Sequence, residues 1–278
     1  MLGKLIKHEF RATARTMGPM LLAALVLSLL AGVSGTLLGG NGDKTSIAAD
    51  IIITLAMMLF VVAVIALAVM SVVIMIQRFY RNLLTDEGYI METLPVSVHG
   101  LVWSKLIVST VWFAATFVAI VISVCLAALI ANVNVAAFNL ADDWQDIRQM
   151  IAYVTDNFDI NVVAYALEFL LLAIVGSLGT CLLFYAAIST GYGFPKHKVF
   201  LSVLFFFAFQ TVMQIIGTIG QVFIIRSSAA VNDLVTAIEL ANNSGHAVLW
   251  AAIALAAIFD AGLYFITVYN LKNRINLE

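Results

Sequence analysis

Charge is what this chain of 278 residues has least of: 11% of its residues are charged and 63% are hydrophobic, with a mean hydropathy of +1.06. Soluble domains carry roughly 25% charged residues, so this composition cannot cover a water-facing surface. Two cysteines exclude a disulfide-stapled scaffold, and three prolines with 17 glycines exclude a collagen-like or low-complexity chain. A net charge of −2 and a pI near 6.1 leave no basic face for nucleic acid. The composition is that of a protein whose apolar residues face lipid.

The few charges punctuate the chain. None occurs between Arg15 and Asp43, Asp50 and Arg78, Lys105 and Asp142, Glu168 and Lys196, or Lys198 and Arg226, and a sixth apolar stretch from Ala247 to Leu271 is interrupted only by Asp260. Each run exceeds the ~20 residues an α-helix needs to cross a bilayer. The runs are continuously apolar, without the alternation of a membrane barrel, and only helices satisfy such a backbone in lipid. The expectation is an all-α polytopic membrane protein of one transmembrane domain, 1–278, with six spans near Gly18–Leu38, Ile51–Ile76, Leu106–Ala131, Val162–Ile188, Val199–Ile225 and Val248–Tyr269. The first run is longer than the 7–15 apolar residues of a signal peptide, so it is read as a retained span.

Basic residues set the expected orientation. Of the 14 Lys and Arg, all but Lys44, Arg148 and Arg226 fall at the N-terminus, at the C-terminus, or in the connections after spans two and four. By the positive-inside rule both termini are cytoplasmic. Before the first span, Leu2, Leu5, Ile6 and Phe10 recur at helical spacing opposite Lys4, Lys7, Arg11 and Arg15, with Glu9 and Thr13 as blemishes on the apolar side. Residues 1–16 therefore read as an amphipathic helix suited to the headgroup region, or as a basic flank that only sets topology. On the outer side, 132–161 carries an amphipathic seam of Leu140, Trp144, Ile147, Ile151, Val154 and Phe158, more suited to capping the bundle than to binding anionic lipid. A second outer segment around Val231–Ala241 is expected to stop near Asn242, Asn243 and Gly245.

The connection 77–105 is the most informative stretch. Thr85 or Asp86 can cap a short helix ended by Pro95, Ser97 can cap the helix leading into the third span, and Trp103 and Lys105 anchor it at the interface. Tyr89, Ile90, Met91 and Leu94 beside Glu87 and Glu92 form either a docking surface or a tight turn packed on the bundle's own underside.

The segments LIKHEF and RFYRNLLTDEGYIMETLPVSVHGLVWSKL, within a six-span layout, resemble permease subunits of ATP-binding-cassette transporters of the type-2 exporter class, in a form common in Gram-positive bacteria. The resemblance spans essentially the whole chain. It implies a bacterial plasma-membrane subunit that pairs with a second permease half, identical or paralogous, and with cytoplasmic ATPase subunits. It further implies a connecting helix at the N-terminus, and a coupling helix on Asp86, Glu87, Gly88, Tyr89, Ile90, Met91, Glu92 and Leu94 that seats in the ATPase. It also implies that 231–241 dips into the membrane from outside. The long connection around Trp144 departs from the simplest members.

A permease of this kind binds no ATP itself, and the residues agree. The glycine-rich run ending at Lys44-Thr45 has Leu38 and Asp43 where a phosphate loop needs glycine. His8, His99, His197 and His246 form no metal-ligand pattern, and Cys125 and Cys181 sit inside apolar spans as packing residues. No cofactor, metal site or catalytic residue is expected.

Two acids remain inside the spans. Asp260 shares a helical face with Ile253, Ala256, Ala257 and Tyr264 and is expected to point into the bundle, as a cavity or proton-relay group, a coupling element, or a structural hydrogen-bonding acid. Glu168 reads as a carboxylate snorkelling toward outer water. Gly35/Gly39, Gly176/Gly179 and Gly217/Gly220 are candidate close-packing pairs. The rival to an ATP-driven permease is an ion-coupled carrier using Asp260 and Glu168, which predicts an internal repeat that is not seen; a non-transporting membrane scaffold or immunity protein is the third reading.

Overall fold

The computed structural model describes residues 2–39, 47–85, 97–131, 161–228 and 234–273, with isolated residues between 145 and 155. These fold into α1 (Leu2–Gly39), α2 (Ile47–Leu84), α3 (Val98–Ala131), α4 (Val162–Tyr192), α5 (Lys198–Ser228) and α6 (Leu234–Asn273). All six are long and apolar enough to cross a membrane, and the chain is a multi-pass membrane protein. Large apolar side chains such as Leu22, Val62, Phe117, Phe207 and Ile258 stand exposed along the helices, the pattern expected where the solvent is hydrocarbon.

The helices outrun the expected spans because a charge marks the end of the hydrocarbon, not the end of the hydrogen-bond ladder. Thus α2 continues through Arg78 and Arg81 to Leu84. Helix α3 starts where Ser97 accepts from the Gly100 N–H at 3.3 Å through its side chain and from the Leu101 N–H at 3.2 Å through its carbonyl, as its cap position predicts. At the start of α4, the Asn161 side chain accepts from the Ala164 N–H at 3.1 Å. The turn into α5 places His197 at φ 57° and uses its carbonyl to accept the Leu201 N–H at 3.0 Å.

The N-terminal amphipathic segment is helical and continuous with the first span: Leu2–Gly39 is one helix that runs through Pro19. One local expectation is corrected: the stop at Asn242–Gly245 is missing, and α6 passes through it unbroken. Gly245 serves there as a point of close approach, since an added Cβ would collide with the Tyr165 hydroxyl. In the outer amphipathic stretch, Gln145, Arg148, Gln149, Ala152 and Thr155 are helical and exposed, while its apolar seam lies outside the described residues.

The chain divides into two compact units: Met1–Met75 with Ile107–Ile147, and Ile76–Leu106 with Arg148–Glu278. In the first, Met17, Ile74, Met75, Val108 and Trp112 form one apolar cluster and Ala31, Phe60 and Ala127 another. The two blemishes of the N-terminal wheel lie on the buried side of α1. Thr13 is buried and accepts the Trp112 indole N–H at 2.7 Å while donating to the Glu9 carbonyl at 2.8 Å, and Phe10 stacks on Trp112 at 5.0 Å.

In the second unit α4 is the central element, buried almost all round from Cys181 to Gly191. Helix α5 packs beside it through Phe184 and Phe206, stacked at 4.8 Å. Of the expected glycine pairs, only Gly179 meets a neighbour: added Cβ atoms at Gly176, Gly217 and Gly220 meet nothing within 4 Å among the described residues. Gly35 and Gly39 lie where side-chain surroundings are not described. Cys181 is buried as expected of a packing residue, whereas Cys125 is exposed.

Candidate functional site

A polar seam joins α4 and α6. Its contacts pair Glu168 with His246, Gly179 with Asp260, and Thr190 with Asn270, so both residue numbers rise together and the two helices run parallel. The buried stripe of α6 that makes it, Ile253, Asp260, Leu263, Thr267 and Asn270, is spaced by one step of seven residues and then steps of three or four, which keeps it on one helical face. It is the face expected from the sequence, except that Ala257 is exposed.

Near the start of α4, Glu168 is only 7% exposed, and both carboxylate oxygens accept from Nδ1 of His246, at 2.8 and 2.9 Å. A carboxylate can only accept, so Nδ1 bears the hydrogen. The imidazole stacks on Tyr165, with centroids 4.1 Å apart and planes at 22°, which fixes the ring that grips the acid. Tyr165 reaches that position because residue 245 is glycine. Glu168 therefore does not snorkel, because a histidine on α6 meets it inside the protein.

About 16 Å along α4, at ~1.5 Å per residue, the seam reaches Gly179. There the Asp260 carboxyl rests against the α4 backbone, and an added Cβ on Gly179 would stand 2.5 Å from Oδ1. Asp260 is 8% exposed and its Oδ1 has no hydrogen-bond partner among the described residues. No other charged residue lies between Ala247 and Leu271. At the far end, Asn270 donates to Thr190 at 2.8 Å.

The same end of the unit holds the two roots of the connection between α2 and α3. From α2, Phe79 is fully buried and stacks on Tyr185 at 3.9 Å, and Tyr80 accepts the Tyr192 hydroxyl at 2.9 Å. From α3, His99 Nδ1 meets the Tyr264 hydroxyl at 2.7 Å and Nε2 meets Lys272 Nζ at 3.4 Å. The ammonium can only donate, so Nε2 accepts and Nδ1–H is the donor to Tyr264. Trp103 stays half-exposed, as suits an interfacial anchor, and its ring packs 5.8 Å from that of Tyr264. Lys105 instead is buried and donates to the Arg78 carbonyl at 3.4 Å, tying the two roots together.

The structure thus brings Glu168 and Asp260 onto one seam. The eight candidate coupling residues, Asp86, Glu87, Gly88, Tyr89, Ile90, Met91, Glu92 and Leu94, lie outside the described residues, and only their roots are seen. Sequence reasoning missed His246, Tyr165 and His99. Their partners are 78 to 165 residues away or on another helix, and no local spacing marks them. Among the described residues no group of three His, Cys, Asp or Glu could hold a metal ion. An open apolar cavity of about 540 Å³ lies beside the far end of the seam, lined by Thr190, Phe209, Phe265, Ile266, Tyr269 and Asn270. Comparison with known proteins finds no matching family model, no matching curated protein and no matching solved structure.

Proposed function

We propose that this chain is the membrane-spanning permease subunit of an ATP-binding-cassette exporter of the type-2 class, one half of a substrate pathway driven by separate cytoplasmic ATPase subunits. In this reading both termini and the connection between α2 and α3 face the cytoplasm of a bacterium, a second permease half completes the pathway, and lipid surrounds both. ATP binding and hydrolysis in the partner pull on residues 86–94, and the halves rock from inward-open to outward-open.

The observation that carries the reading is the rooting of that connection in the second unit. A loop that only joined two spans would need no such roots. Here Phe79 and Tyr80 on one side, and His99 on the other, engage Tyr185, Tyr192, Tyr264 and Lys272 on α4 and α6. A force on residues 86–94 is delivered through stacked rings and hydrogen bonds to the helices that hold Asp260 and Glu168. Packed interiors transmit such displacements because they deform little.

The test is co-purification of the chain with an ATPase from its native membrane. Changing Glu87, Tyr89 and Met91 together to alanine is expected to abolish ATPase association while the chain remains monodisperse and membrane-inserted. Undiminished association would sink the coupling assignment. So would labelling of a cysteine at position 89 from outside intact cells.

A further inference from the structure

Asp260 stands apart from the other acids whose surroundings are described. It lies in the middle of a span, 8% exposed, with Oδ1 unpartnered and set against the α4 backbone at Gly179. An ionised carboxylate at that depth is strongly unfavourable unless something offsets its charge. A basic side chain, a metal ion or a proton can do so.

The first is excluded by the sequence. Helix α4 carries no charge between Glu168 and Lys196, and α5 carries none between Lys198 and Arg226. The spans of α1, α2 and α3 carry none between Arg15 and Asp43, Asp50 and Arg78, or Lys105 and Asp142, so no helix brings a cation to this depth. The titratable neighbours are Tyr264, one turn along α6 and engaged with His99, and Cys181, two residues beyond Gly179; neither supplies positive charge. A metal ion asks for several ligands, and among the described residues no group of three His, Cys, Asp or Glu forms around Asp260. A proton needs no further ligand: it neutralises the acid and turns one oxygen into a donor that can bond a carbonyl of its own helix.

We propose that Asp260 is a proton-binding site that latches α4 to α6. With the proton bound, the neutral carboxyl lies dry against Gly179 and the seam is closed. When the proton passes to water as hydronium, the carboxylate left behind requires hydration, and α4 and α6 part at Gly179 to admit it. The step breaks one O–H bond and forms another, and it stands whether or not an ATPase drives the chain. The contact at Gly179 is what couples charge to geometry, because with no side chain there the acid and the α4 backbone touch.

The full chain in phosphatidylcholine nanodiscs tests both halves. An infrared difference spectrum between the native protein and Asp260→Asn is expected to contain the carbonyl stretch of a carboxylic acid at neutral pH. A carboxylate band in its place would overturn the proposal. For the latch, Cys181 is the reporter in a Cys125→Ala background: its modification by a water-soluble maleimide should rise with pH several-fold more steeply with Asp260 than with Asp260→Asn. Identical pH profiles in the two proteins, both folded by circular dichroism, would overturn the latch.

Discussion

In the first unit, hydroxyl groups are satisfied mainly within their own helices: Ser28 donates to the Leu25 carbonyl, Ser34 to Ala31, Thr54 to Asp50 and Ser71 to Ala68, all at 2.7–2.8 Å. In the second unit Ser177, Ser189, Thr211 and Thr267 do the same, but other polar side chains reach across to other helices, as Glu168 does with His246, Asn270 with Thr190 and His99 with Tyr264. The first arrangement asks nothing of neighbouring helices, and the contacts among Met17, Ile74, Met75 and Val108 are purely apolar. Those cross-helix bonds make the satisfaction of the groups they join depend on helix position. A seam of that kind can have two states, because separating the helices changes which groups are solvated. The Trp112–Thr13 bond crosses between helices in the first unit, and it fastens the basic N-terminal stretch of α1 to α3.

The contrast can be broken by substitution, and the largest effect is expected at Glu168. His246→Ala removes the histidine from a buried acid. Breaking a fully buried pair costs about 3–5 kcal/mol, and because His246 is itself part-exposed a loss of about 2 kcal/mol is expected. Reversible unfolding in mixed micelles measures it, and Glu168→Gln in the same background should recover most of it. A smaller loss, about 1–2 kcal/mol, is expected for Gly179→Ala, whose new methyl group must displace the Asp260 carboxyl. Combined with Asp260→Ala the same change should reverse sign, since alanine favours a helix over glycine by about 1 kcal/mol. A cost that persisted in the double variant would mean that Gly179 packs against something other than the acid.

Least of all is expected in the first unit. Ser71→Ala deletes a hydroxyl bonded only to its own helix and should change stability by less than about 0.5 kcal/mol. A loss as large as that at His246 would erase the distinction between the units.

Much of the architecture was legible because hydropathy is a property of consecutive residues. Five uninterrupted apolar runs and a sixth broken only by Asp260 located the six spanning helices, and the Ser97 cap was readable from its place after Pro95. Helix ends were less legible: Asn242-Asn243 and Gly245 look like a stop, yet a glycine that admits Tyr165 is as useful inside a helix as after one. Glu168 was misread for a related reason. A lone acid near a membrane boundary looks like a snorkelling residue until its partner is known, and that partner is 78 residues away.

From its own residues, then, the chain determines that it lives in lipid, how many times it can cross, and that Asp260 has no cation to meet at its depth, because each of these depends only on the order of apolar and charged side chains. The tertiary structure decided that α4 and α6 run side by side in parallel, that His246 grips Glu168, and that Asp260 rests on a glycine. Those pairings depend on which faces of distant helices meet, and side-chain packing between helices fixes that where local spacing cannot.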